Sequence, residues 1–356
     1  MNISLESIDN APFSYKDVKK IVFFDNSWYI LADNKLWQTN DAKNWKDLNL
    51  RIESSGIQSE VFSVSNDALI IASNEGRGKM NFYIKRKGHP NFVLLTLNIN
   101  QGVEIAGAMY FKDRVYLFLN FSVKRVHEKE GLIFNSKETY YTDALTIYSS
   151  SLYGGDLKEE EKWWSSAESG TITIINNRPI LVSKCKSWDA IDDTERESYF
   201  FNYLTKENGW KRSDTGIKGG YSSEHKLMLV NNGVYYFKGS NFGGGNLLYF
   251  SDDGKYWDLV GEFNSYGENA IETFNFRETC LFSLGCGDEI CYFSKNDSRR
   301  YPYKLCYGNS KVKPENYQSV EIKVLPNCLA FNEQGVGLLS TSTEDEEGIY
   351  LLKITK

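Results

Sequence analysis

A short apolar run, a polar pair and a second apolar run recur seven times along the chain, as KKIVFFDNSWYILA, VFSVSNDALIIAS, AGAMYFKDRVYLFLN, TITIINNRPILVS, KLMLVNNGVYYFKG, ETFNFRETCLFSLG and LAFNEQGVGLLST. Runs of this length, rich in β-branched and aromatic residues and broken by Asn, Asp or Gly, predict a strand, a tight turn and a second strand in each copy. The turns centre on Asn26, Asp67, Asp113, Asn177, Asn232, Arg277 and Glu333, so successive copies lie 41 to 64 residues apart. That interval brackets the length of a four-stranded propeller blade, and self-similarity at such a period marks a repeat architecture.

A second marker runs in phase with the first. Each hairpin is followed by a third strand, a turn, and an aromatic residue that opens a fourth strand: Trp45, Phe92, Trp163 or Trp164, Trp210, Trp257 and Tyr317. The intervals from Trp45 to Phe92 and from Trp210 to Trp257 are both 47 residues. The seventh copy lacks the marker, because the chain stops after its third strand, GIYLLKITK, and the N-terminal NISLESI is expected to supply the fourth. Pairing the chain ends would close a ring and leave no open edge between blades. The expectation is an all-β, seven-bladed β-propeller in a single domain, with blades at about 20–50, 59–97, 104–166, 168–215, 222–264, 268–323 and 324–356 plus 1–10. Six blades remain open if the copy from Leu329 is a decorated tail, and a sandwich or an open solenoid is what such strands form without a ring.

Composition narrows the partners. Aromatics make up 15% of the 356 residues, an enrichment suited to pleated sheets. With 41 Lys plus Arg against 47 Asp plus Glu the formal charge is −6, so there is no broad basic footprint for nucleic acid, and a basic partner complements the chain better. The first residues lack a basic segment followed by an apolar run, and no apolar stretch approaches the roughly 20 residues that span a bilayer. A cytoplasmic protein without membrane association is expected, its six cysteines (Cys185, Cys280, Cys286, Cys291, Cys306 and Cys328) free thiols rather than a disulfide framework.

The turn between the third and fourth strands reads FSDDGKYW at 250–257 in the fifth copy and QTNDAKNW at 38–45 in the first. Aligned, these place Asp252 over Asn40, Gly254 over Ala42 and Trp257 over Trp45. A short acceptor bonding backbone N–H groups, a residue with positive φ and a Trp packed between sheets would make each a folding device. The pattern resembles the Asp-box, Ser-x-Asp-x-Gly-x-x-Trp, of the sialidase-like BNR-repeat β-propellers, although Phe250 and Gln38 stand at its first position and Ser251 and Thr39 are displaced by one. KENGW in the fourth copy and GNSKVKPENY in the sixth are weaker versions. The resemblance implies the propeller fold over most of the chain, with these turns on the face opposite a catalytic centre. It carries no activity, because fold does not fix function.

A sialidase-like site would need three arginines on a substrate carboxylate, a Tyr–Glu pair as nucleophile and an Asp for acid and base work. The Arg-Ile-Pro signature of that family is absent, and Arg178-Pro179-Ile180, in the fourth copy, has the wrong order. Cys280, Cys286, Cys291 and Cys306 contain no C-x2-C pair of the kind zinc sites use. His89, His127 and His225 stand far apart, and Gly243-Gly244-Gly245 lacks the Lys-Ser/Thr of a phosphate loop. The acidic runs Glu159 to Glu161 and Glu344 to Glu347 lack the alternating ligands of a calcium loop. No catalytic residue, metal ligand or cofactor is assigned.

Departures from regularity point to the functional face. Between second and third strands, the third copy gains about Phe121 to Thr142, the fourth Cys185 to Ser198 and the sixth Gly285 to Pro302. Long loops on a rigid scaffold commonly carry function, and these hold Arg125, Trp188, Arg196, Arg299, Arg300 and Tyr301, residue types that anchor interfaces. The expectation is a non-enzymatic recognition scaffold for a protein partner, of toxin-neutralising (immunity) or adaptor type. A glycan-active propeller, hydrolase or lectin, is the alternative.

Overall fold

A computed structural model describes residues 2–52, 61–65, 67–76, 78–99, 103–129, 136–189, 194–205, 209–217, 222–230, 233–240, 246–263, 281–283, 289–295, 303–309, 318–322, 328–342 and 347–355. The described strands form seven four-stranded antiparallel sheets, each a meander of consecutive strands except one that joins both chain ends. In chain order they span 18–51, 61–98, 103–163, 166–216, 222–263, 281–322 and 328–355, the last completed by Asn2–Ser7. That N-terminal strand pairs in register with the C-terminal one, from Asn2 opposite Thr355 to Ser7 opposite Tyr350.

The hairpins form where Asn and Asp permit a left-handed backbone. Asp25–Asn26, Asp33–Asn34, Lys112–Asp113 and Asn176–Asn177 all have φ between 46° and 61°, the two-residue turn whose twist matches the strands it joins. Around Glu333 the turn is longer: Asn332 Oδ1 accepts from the N–H groups of Gln334 and Val336, and Gly335 takes φ 76°.

Sheet packing explains why the strands read as apolar runs and not as simple alternations. In Arg114–Lys129, Val115, Leu117 and Leu119 pack with Ile70, Phe82 and Leu95 of the second sheet, whereas Phe118 packs with Leu181 and Trp210 of the fourth. Both faces are buried, so nearly every central position is apolar, each such side chain contributing about 2 kcal/mol relative to exposure. Trp210 meets Phe118 and Trp163 edge-on at centroid distances of 5.9 Å. Side-chain amides also link sheets: Asn120 Nδ2 donates to Ala167 O at 2.7 Å while Ala167 N–H donates back to Asn120 Oδ1 at 3.0 Å.

The chain divides into two compact units, Ser54–Gly220 and Met1–Glu53 with Tyr221–Lys356. In the first, the opening strands of its three sheets, Val61–Val64, Val103–Phe111 and Ser166–Ile175, lie against one another, leaving the fourth strand of each sheet as the outer edge. In the second unit Val18–Phe24 packs on Cys328–Phe331, where Trp28 Nε1 donates to Ala330 O at 3.0 Å.

Three sequence expectations need correction. The insertions in the third and fourth sheets are not irregular loops. Ser122–Lys129 continues to pair with Ser136–Asp143 for eight residue pairs beyond the three-stranded part, and Cys185–Asp189 with Thr194–Ser198 for five. Both are two-stranded ribbons, in keeping with the strand propensity of Val123, Val126, Thr139, Tyr140, Tyr141 and Thr142, which the interspersed charges conceal. In the sixth sheet, the run expected to be the second strand supplies the first: Leu281–Ser283 pairs with Glu289–Lys295, a segment assigned to the insertion. Two apolar runs flank GCGDE there, and periodicity alone does not choose between adjacent hairpins. Its expected turn at Arg277 and the aromatic Tyr317 lie outside the described residues. Finally, Trp163 closes the strand Lys158–Trp163 instead of opening it.

Candidate recognition site

The turns that resembled Asp-boxes close one end of the first and fifth sheets. In the fifth sheet Gly254 N–H donates to Ser251 Oγ at 2.8 Å, and Asp253 Oδ1 accepts from the N–H groups of Lys255 and Tyr256 at 2.7 and 3.0 Å. The first sheet repeats this: Ala42 N–H donates to Thr39 Oγ1 at 3.0 Å, and Asp41 Oδ1 accepts from Lys43 and Asn44 at 2.9 and 2.8 Å. Ala42 and Gly254 both take positive φ, and Trp257 is buried with Nε1 donating to Gly254 O. The accepting carboxylates are therefore Asp41 and Asp253, not Asn40 and Asp252 as the alignment placed them. Asn40 instead accepts from Ser27 Oγ at 2.7 Å, and Asp252 is exposed. The backbone N–H groups on Asp41 lower its carboxyl to about 2. Trp45 packs edge-on to Phe13 at 5.1 Å.

In an antiparallel meander the link between second and third strands shares an end with the link from the fourth strand to the next sheet. In the unit Ser54–Gly220, that end carries both ribbons and the connection Trp164–Ser165 between third and fourth sheets. Consecutive residues of an extended chain point to opposite sides, so Trp163 enters the core cluster while Trp164 stands 53% exposed. The carbonyl of Trp164 accepts from Cys185 Sγ at 3.4 Å, tying it to the base of the second ribbon.

Beside it the opening strand of the fourth sheet is interrupted. Its register jumps from Ala167 opposite Ser183 to Ile172 opposite Leu181, and residues 168–171 form a bulge closed by Thr171 Oγ1 donating to Glu168 O at 2.8 Å. Glu168 lies 3.7 Å from Lys184 Nζ, which also pairs with Glu197 Oε1 at 2.9 Å. Glu197 is only 13% exposed at its side chain, and its other oxygen accepts from the Tyr199 hydroxyl at 2.8 Å.

Lys184 thus serves two carboxylates. Burial holds the Glu168 carboxyl above the usual range; Lys184 opposes this, but Glu197 and Glu104 push the same way as burial. Glu104, which still reaches solvent, is raised by the surrounding protein and by the Asp143 carboxylate. Burial and the bond to Glu197 drive the Tyr199 phenol far up, so it acts as a hydrogen-bond donor and not as an anion. Bulges of this kind often aim side chains at functional sites.

The anticipated anchors are placed in part. Arg125 lies opposite Tyr140 on the first ribbon, and Trp188 and Arg196 lie opposite Glu195 and Ser187 on the second; the backbone course alone is described. Arg299, Arg300 and Tyr301 lie outside the described residues. Glu168, Lys184, Glu197, Tyr199 and the role of Trp164 escaped sequence reasoning. The one available signal was the Trp163-Trp164 pair, since strand alternation obliges one of two adjacent tryptophans to face outward.

No protein-family model matches the chain, and no curated protein matches it in sequence. Among solved structures, virginiamycin B lyase from Staphylococcus aureus is similar with a TM-score of 0.51 at 11% identity, over 99% of this chain and 99% of that one. A chain of a mitotic checkpoint complex gives 0.50 at 10% identity, over 99% of this chain and 94% of its own. The fold is an all-β propeller. A Trypanosoma rangeli sialidase bound to the inhibitor DANA scores 0.45 at 10% identity; this chain covers 59% of its length. Identities this low reach the fold and stop there. No helix among the described residues is long and apolar enough to cross a membrane.

Proposed function

We propose that the protein is a non-enzymatic recognition scaffold that binds a basic protein partner, of immunity or adaptor type, at the ribbon-bearing end of its third and fourth sheets. The observation that carries this is the acid-rich cluster in which Lys184 pairs with Glu168 and Glu197 and Glu104 acts on Glu168, beside the exposed Trp164 and at the base of two ribbons. A two-stranded ribbon is marginal alone in water, and aromatic and charged residues at the rim of such a site supply anchoring and steering. Seven four-stranded sheets support one ring of seven blades in a single domain, completed by pairing of the chain ends, with the turns at Asp41 and Asp253 as shortened Asp-boxes. Cys185 and Cys328, which stand outside any disulfide, suit a cytoplasmic setting.

Affinity capture from a lysate of the source cell tests the reading. Wild type is expected to retain a discrete basic protein that Trp164→Ala with Glu168→Gln loses, while both proteins melt at similar temperatures. Equal retention by the double variant contradicts the assignment.

A second reading is favoured by one observation. The Tyr199–Glu197 hydrogen bond joins the residue types that sialidase-like enzymes use as nucleophile. The strongly raised phenol opposes this chemistry, and turnover of a sialoside panel would establish it.

A further inference from the structure

A short loop carries the chain from the N-terminal strand Asn2–Ser7 of the seventh sheet to Val18–Phe24, the opening strand of the first. Its ends are tied together. Ile8 N–H donates to Ile349 O at 2.9 Å, and the Tyr15 hydroxyl donates to Ile8 O at 3.1 Å. Compact surface loops with ends held close are Ω-loops. Between the ties Asp9, Asn10, Pro12 and Ser14 are exposed, and Phe13 is the buried residue. Two polar contacts hold the span to the first sheet: Asn10 Nδ2 donates to Lys43 O at 3.3 Å, and Ser14 N–H to Asp33 Oδ2 at 3.4 Å.

Phe13 is lodged against two tryptophans, 5.7 Å from Trp37 and edge-on to Trp45. Both indole Nε1 atoms are buried, and neither has an acceptor among the described residues. The fifth sheet shows the bond that Trp45 does not make. There Trp257, at the matching place in the same kind of turn, donates Nε1 to Gly254 O at 3.2 Å. Ala42 matches Gly254 and shares its positive φ. A buried donor without a partner calls for a physical reason, and Phe13 against the edge of Trp45 supplies one.

We propose that residues 9–14 are a lid hinged at Ile8 and Tyr15, held shut by Phe13, whose opening lets Trp45 Nε1 donate to Ala42 O and bares the faces of Trp37 and Trp45. Burial of Phe13 favours the closed state, while two unpaired indole donors oppose it with a free energy of comparable size. The lid therefore opens without unfolding of the sheets beneath it, which are held by their own strand pairing. The inference is independent of the recognition site, since it concerns the first and seventh sheets.

Hydrogen exchange of the indole N–H groups, followed by NMR on the full chain labelled with 15N-tryptophan, tests it. Trp28, which donates to Ala330 O, and Trp257 serve as internal references. Trp37 and Trp45 are expected to exchange at least tenfold faster than these two, at rates that scarcely change in dilute urea, because lid opening exposes little surface. Asn10→Ala removes an exposed side-chain bond and should speed exchange of Trp37 and Trp45 at least twofold while leaving Trp28 and Trp257 unchanged. In Phe13→Ala the Trp45 indole proton should move downfield towards a hydrogen-bonded position; should that variant fail to fold, the exchange rates of wild type and Asn10→Ala decide alone. Four indoles exchanging at one rate that rises steeply with urea, an Asn10→Ala variant that alters none or all of them, or an unmoved Trp45 resonance in folded Phe13→Ala each overturns the proposal.

Discussion

Asp41 and Asp253 each hold two backbone N–H groups of a single turn, and replacing either by Ala should cost about 1 kcal/mol, read by denaturant unfolding. Asp41 also makes a pH prediction. Its folded value of about 2 lies below the ordinary 3.8, so its contribution is complete above pH 4 and is lost as pH falls towards 2. Asp41→Asn should flatten acid destabilisation in that window, and an unchanged slope would show that the turn is not what titrates. Glu168 runs the opposite way: its raised carboxyl is uncomfortable when ionised, so Glu168→Gln should hold or raise the melting temperature at pH 7 while weakening capture of a basic partner. Loss of both together would make Glu168 structural. Such residues were hidden in the sequence because Glu168, Lys184, Glu197 and Tyr199 come from three strands and a bulge that shifts the register, and no spacing rule joins them.

At the scale of strands and turns, sequence and structure agree where local chemistry is decisive. Asn and Asp pairs between apolar runs located the two-residue hairpins, since few residues accept two successive positive φ angles. Agreement fails where two solutions are locally equivalent. The sixth sheet slid by one strand because both candidate hairpins are apolar, and the ribbons passed for loops because their alternation is diluted by charge. The amide bridge between sheets is a test at this scale. Asn120→Ala leaves a buried N–H and a buried carbonyl of Ala167 without their partner and should cost about 2 to 4 kcal/mol by chemical denaturation, against about 0.5 at most for a surface residue.

For the molecule as a whole, seven sheets and the pairing of Asn2–Ser7 with Glu347–Thr355 predict cooperative behaviour. Calorimetry should give one transition, with deletion of residues 2–7 lowering its midpoint; two separate transitions would mean that the two compact units unfold independently. The central claim is that recognition occurs at the ribbon end and not at the capped turns. Hydrogen–deuterium exchange on the protein with and without its captured partner tests this most directly. Protection is expected at 122–143 and 164–198, with 39–44 and 251–256 unchanged. Protection confined to those turns, or ribbons that exchange identically in both states, would contradict it.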